Sequence, residues 1–159
     1  MKVLSFDGAK GMATAEQFED LSVWQEARQI VSAVYRVSKQ RAFYGDPGLR
    51  EQIRRAAVST LSNIAEGFER GSRKEFIQFL NVAKASNSEV RAQLYVALDQ
   101  RYLTQSEFNQ IKEATTVLSR RLYSFIRYLE NYSEPTRTRK GAPARATFNL
   151  QPSTFNRAG

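Results

Sequence analysis

The chain has 159 residues, 42% of them hydrophobic, with neither cysteine nor histidine and a formal net charge of +8. That length suits one domain with tails and is long enough to bury a core. The missing residue types exclude disulfides, cysteine nucleophiles and thiolate metal sites, and remove both the commonest general base and the imidazole of most zinc and di-iron sites. There is no G-x-x-x-x-G-K-[ST] and no G-x-G-x-x-G. Glu66, Glu89 and Glu113 are too few and too scattered for a carboxylate metal centre, so no enzyme activity, cofactor or metal is expected. No apolar run reaches membrane-span length and no signal-peptide pattern opens the chain, which makes a cytoplasmic location, away from the membrane, the expectation.

Residues 1–17 read as a flexible N-terminal segment, with Met12 as an alternative start. A bundle domain is expected over 18–133. The first helix begins near Asp20 to Ser22, where Ser22-Val23-Trp24-Gln25 has the form of a capping box. Leu21, Trp24, Ala27/Arg28, Val31, Val34/Tyr35 and Ser38 recur at spacings of three and four, and Val23, Ile30 and Val37 widen the apolar stripe. Gly45-Asp46-Pro47-Gly48 then breaks the pattern, with Asp46 as N-cap and Pro47 at the first helical position. Leu49, Ile53, Ala56, Ala57, Thr60, Leu61, Ile64 and Phe68 define a second helix that ends between Gly67 and Gly71.

Ser72-Arg73-Lys74-Glu75, again of capping-box form, opens a third helix carrying Phe76, Phe79/Leu80, Ala83, Asn87, Val90, Leu94 and Ala97/Leu98 through to Gln100. Thr104-Gln105-Ser106-Glu107 opens a fourth. There Phe108, Ile111, Thr115, Leu118, Leu122, Phe125 and Leu129 keep steps of three and four without a break, until Pro135 stops the pattern. Short connections require consecutive helices to run antiparallel, which predicts an all-α, up-down-up-down four-helix bundle. Residues 134–159 form a Pro-containing tail with five basic residues and no acid from Pro135 onward, expected to be disordered in isolation. Thr-Phe-Asn occurs in it twice, placing Phe148 and Phe155 as candidate anchors for a protein partner, or as idle sticky residues.

One stretch of the second helix carries an unusual polar pattern. Arg55, Ser59, Asn63 and Glu66 are spaced four, four and three, so they stack on one face opposite Ile53, Ala57, Leu61, Ile64 and Phe68. The stripe fits either a polar ligand or nucleic-acid groove, or a hydrogen-bonded network within the bundle or between subunits.

Phe18-Glu-Asp-Leu-Ser-Val-Trp-Gln-Glu-Ala27, Gln52-Ile-Arg-Arg-Ala-Ala-Val-Ser59, Ser62-Asn-Ile-Ala-Glu-Gly-Phe68 and Lys74-Glu-Phe-Ile-Gln-Phe-Leu80 resemble the bacterial four-helix-bundle proteins encoded in intervening sequences of 23S ribosomal RNA genes. That structural group includes the accessory variability determinant (Avd) of diversity-generating retroelements. The resemblance implies a homopentamer with a central channel, no enzymatic activity, and binding of RNA or DNA, in the retroelement branch together with a reverse transcriptase. Leu61 departs from the proline of many relatives, which implies a straighter second helix. The basic tail also extends beyond the usual bundle.

A basic chain with a pI near 10 favours a polyanionic partner. The candidate phosphate contacts are Arg50 and Arg54, one turn apart. A second set is Arg70, Arg73 and Lys74, near a helix N-terminus. Arg120, Arg121 and Arg127 lie on the fourth helix, and Arg137, Arg139 and Lys140 in the tail. Tyr44, Tyr102 and Tyr123 are candidate stacking residues. The leading expectation is a homo-oligomeric nucleic-acid-binding accessory protein, RNA in preference to DNA; the alternative is a protein-interaction scaffold working through the tail.

Overall fold

The computed structural model describes residues 3–7 and 11–131. Four helices form the bundle: α1 (Ser22–Val37), α2 (Pro47–Glu69), α3 (Arg73–Asp99) and α4 (Gln105–Asn131). Each helix packs against the next and α1 closes the ring against α4. The connections are short, so the order is up-down-up-down. The expected tail at 134–159 lies outside the described residues.

Burial follows the predicted period closely on three helices. On α3 the buried line includes Phe76, Leu80, Ala83, Asn87, Val90, Leu94 and Ala97, and on α4 every residue of the predicted heptad is buried. On α2 the buried set is Ile53, Ala56, Ala57, Thr60, Ile64, Gly67 and Phe68. The first helix differs in phase. Its core line is Val23, Ala27, Ile30, Val34 and Val37, while Trp24 and Val31 are half-buried at its margin. A wide stripe is what a helix needs when it seals both α2 and α4.

Two of the three capping-box motifs open helices, Thr104–Glu107 as a reciprocal box and Ser72 as an N-cap. The Thr104 hydroxyl accepts the Glu107 N–H at 3.3 Å and the Glu107 carboxylate accepts the Thr104 N–H at 2.9 Å. Those bonds, first the backbone N–H and then the hydroxyl of Thr104, hold the Glu107 carboxyl below its ordinary pKa. Ser72 caps α3 by accepting from the Glu75 N–H, and Asp46 caps α2 from the Leu49 N–H at 2.9 Å with Pro47 behind it. The third box is corrected. Ser22 is already helical and Leu21 is the N-cap. A 3-10 turn at Phe18–Asp20 precedes it, where the Asp20 carboxylate accepts the N–H groups of Glu16 and Gln17. Gln25 reaches back to the Glu19 carbonyl instead of pairing with Ser22.

The N-terminal segment also differs from expectation. β1 (Val3–Asp7) and β2 (Gly11–Ala15) pair antiparallel, with Leu4 opposite Thr14 and Phe6 opposite Met12. Two short runs separated by three residues that include Gly8 are a hairpin signal that a helix-first reading passes over. Ala15 is fully buried against the bundle.

The α3–α4 connection turns through Arg101, the one described non-glycine residue at positive φ (59°). The Tyr102 N–H donates to the Ala97 carbonyl and the Arg101 N–H to Leu98, the pattern of a Schellman motif whose left-handed position is ordinarily glycine. A side chain there costs about 1–2 kcal/mol. Arg101→Gly is therefore expected to raise stability by up to about 1 kcal/mol, offset in part by glycine's greater freedom when unfolded. A urea titration read as a higher midpoint with unchanged slope checks it.

Candidate nucleic-acid interface

The predicted polar stripe on α2 divides into separate fates. Ser59 shares a hydrogen bond of 2.9 Å with Ser86 of α3, and Asn63 donates to the Ser59 carbonyl at 2.7 Å and to its hydroxyl at 3.1 Å. These three residues form a small network that joins two helices. Glu66 pairs with Arg70 at 2.6 Å on the exposed surface. Arg55 is exposed and takes no part in either contact. The four residues share a face, but they do not form a common site.

The predicted cations likewise separate. On α4, Arg120 pairs with Glu113, Arg121 with Glu26 of α1, and Arg127 with Glu130. Each already has an acid beside it, and such exposed pairs contribute little to stability. Arg70 is held by Glu66, whose hydrogen bond raises the guanidinium pKa further, and it also lies 5.3 Å over the Phe79 ring. Arg73 and Lys74 are exposed in the first turn of α3. Arg137, Arg139 and Lys140, with Phe148 and Phe155, lie outside the described residues.

Arg54 has a structural post. Its Nε donates to the Ser38 hydroxyl at 2.7 Å and its Nη2 to the Ser38 carbonyl at 3.0 Å. Ser38 is the C-cap of α1 and is fully buried. Arg54 thus satisfies a carbonyl at the end of α1 and fastens it to α2, with its guanidinium stacked 4.9 Å over Tyr35. Arg50 lies 5.9 Å over Tyr44. Tyr35, Arg50 and Arg54 line a cleft of about 610 Å³ at the α1–α2 corner, with Arg55, Val58 and Ser59 on the same wall.

The chain segment that supplies that corner is rich in positive charge. Residues 34–58 carry six basic side chains (Arg36, Lys39, Arg41, Arg50, Arg54, Arg55) against Asp46 and Glu51, of which Arg50, Arg54 and Arg55 line the cleft while Arg36 lies on the α1–α4 side near Glu107. The Asp46 carboxylate is engaged in capping α2. The remainder of 16–131 holds eleven basic and twelve acidic residues, so the bundle's positive excess is local. Sequence reasoning picked out Arg50, Arg54 and Arg55 but missed Arg36, Lys39 and Arg41, which fall on a helix end and a loop without periodic signal. Tyr35 was read only as part of an apolar stripe, although it is 37% exposed. Among the described residues there is no acid-rich group able to hold a metal ion, and no helix is long and apolar enough to cross a membrane.

The chain belongs to the 23S rRNA-intervening sequence protein family, whose model matches residues 19–124. Its fold is similar to that of a crystal structure from Bacteroides thetaiotaomicron, a protein of unknown function from the S23 ribosomal protein family. The two are 24% identical, the match covers 65% of this chain and 97% of the other, and the TM-score is 0.62. No curated protein matches the chain. Where relatives are expected to carry proline, Leu61 sits within an α2 that runs without a break from Pro47 to Glu69.

Proposed function

We propose that this protein is a non-enzymatic, RNA-binding accessory subunit that works in the cytoplasm as a homo-oligomer, a pentamer by family resemblance, with a reverse transcriptase as a candidate partner. The observation that carries the reading is the local charge excess at the α1–α2 corner, where a phosphate backbone finds several cations and few acids. Arginine suits this work because its planar fork matches phosphate oxygens. Repetition of one corner around an oligomer multiplies a modest patch into a polyvalent surface.

Self-association has its own support on α3. Val82, Ala85, Glu89, Ala92 and Val96 fall on one helical face, and Val82 and Val96 are 48% and 46% exposed. Small and apolar side chains facing water, interrupted by Glu89, suit a second copy of the chain.

The test is RNA binding by the full chain, with its mass in solution measured in parallel. If about four phosphates are neutralised per complex, affinity should fall on the order of a hundredfold between about 50 and 200 mM salt. Absent or salt-independent binding overturns the RNA reading; a monomeric mass at micromolar concentration overturns the oligomer.

A further inference from the structure

The α1–α2 cleft has a composition that a phosphate backbone alone does not call for. Tyr35 forms one edge of the cleft, and Tyr44, 62% exposed in the 3-10 turn Arg41–Gly45, stands outside the lining but against its Arg50. Each ring has an arginine guanidinium against it, Arg50 at Tyr44 and Arg54 at Tyr35, and those two arginines lie one helical turn apart on α2. Arg54 is committed to Ser38 by two hydrogen bonds, so the Tyr35 side of the cleft is a fixed wall. Among the described residues Arg50 and Arg55 have no acid within ion-pair distance, and Glu51 is the one carboxylate among the lining residues. Val58 supplies an apolar patch on the same wall.

A cleft with one ring on its edge, guanidiniums free of ion pairs among the described residues and a second, exposed ring against Arg50 matches the chemistry of an unpaired nucleic-acid strand. Such a strand offers two things at once: a phosphate every nucleotide and the π-face of a base turned outward. A duplex offers phosphates but keeps its base faces stacked inside, so it has no use for an exposed tyrosine. An acidic peptide would use the arginines but leave the rings idle.

From this we infer that the cleft binds single-stranded RNA, with a base stacked on Tyr44 and the adjoining phosphates on Arg50 and Arg55. Arg54 and Tyr35 form the preset wall against which the strand lies. The inference rests on the RNA-binding reading and adds the strandedness of the ligand and the place where it is held.

The experiment uses the full-length protein, a fluorescein-labelled 20-nucleotide oligouridylate, and an RNA hairpin with a stem of about the same charge, titrated by anisotropy at fixed salt. Tyr44→Ala is expected to weaken oligouridylate binding roughly tenfold, the loss of one stacked base, while hairpin binding stays within about twofold. Tyr44→Phe should restore the wild-type value, since the ring and not the hydroxyl does the stacking. The double variant Arg50→Gln/Arg55→Gln is expected to lose at least about tenfold on both RNAs and to show a shallower salt dependence. The charge-matched control Arg120→Gln/Arg127→Gln, on cations already paired with acids, should change binding less than about threefold. Thermal melts confirm that the variants fold; Tyr44 is exposed, so its removal should leave the melt unchanged.

If the wild-type protein binds neither RNA, the RNA-binding reading fails and the inference falls with it. If the wild type binds but the cleft variants bind equally well, the site is elsewhere and only the inference is overturned. Equal weakening of oligouridylate and hairpin by Tyr44→Ala refutes the single-strand assignment.

Discussion

Phe76→Ala is expected to cost about 3–5 kcal/mol, enough to consume much of the stability of a domain this size. Phe76 has no exposed surface, and its ring stands edge-on between Phe68 of α2 and Phe125 of α4 at centroid distances of 6.0 and 5.6 Å. One side chain from α3 therefore links three helices. Truncation to alanine removes the transfer free energy of the ring and two aromatic contacts, and leaves a cavity that fixed helices cannot close. At roughly 4 °C per kcal/mol, the melting temperature should fall by roughly 10–20 °C. A drop of only a few degrees would mean that Phe68 and Phe125 collapse into the space.

Gly67→Ala should destabilise by about 1–2 kcal/mol, although alanine is intrinsically the better helix former by about 1 kcal/mol. A β-carbon on Gly67 would stand 2.5 Å from the Phe79 Cβ and 2.9 Å from the Phe76 Cδ2. The first of these atoms is fixed to the α3 backbone, so a rotamer change cannot relieve the contact and the helix itself must shift. Steric cost thus exceeds the propensity gain. The measurement is the urea midpoint at unchanged slope; a midpoint at or above wild type would show that α2 and α3 separate without penalty. The glycine in Asn63-Ile-Ala-Glu-Gly67 is explained by this close approach and not by any turn.

Much of the bundle is legible in the residue order because helix burial depends on local period. The α4 heptad from Phe108 to Leu129 and the α3 line from Phe76 to Ala97 could be assigned one by one, since each apolar residue answers to neighbours three or four positions away. Where the outcome depends on distant partners, the period is silent. Arg121 meets Glu26 across 95 positions of chain, and Arg54 turns onto Ser38; both read from the sequence as free basic residues. Ser59 could belong to a groove or to a hydrogen-bonded network within the bundle, and only the placement of Ser86 against it selects the network. Asn87 sat in the predicted core line, but its donation to the Thr115 carbonyl and Ser119 hydroxyl follows only from the packing of α3 on α4. The basic corner drew on an helix end, a 3-10 turn and a helix start, three segments that no single periodicity joins.

Confining the positive excess to residues 34–58 makes the folded subunit an electric dipole along its bundle, since the end of α1 and the start of α2 lie at the same end of the molecule. A dipole exerts torque at a distance: an approaching polyanion turns the protein before the two touch, and raises the fraction of encounters that begin with the corner leading. In a cyclic assembly the components of these dipoles across the symmetry axis cancel while those along it add. Any axial tilt of the bundles would then give the assembly one electropositive pole, so that its direction of approach to a charged strand is set before contact.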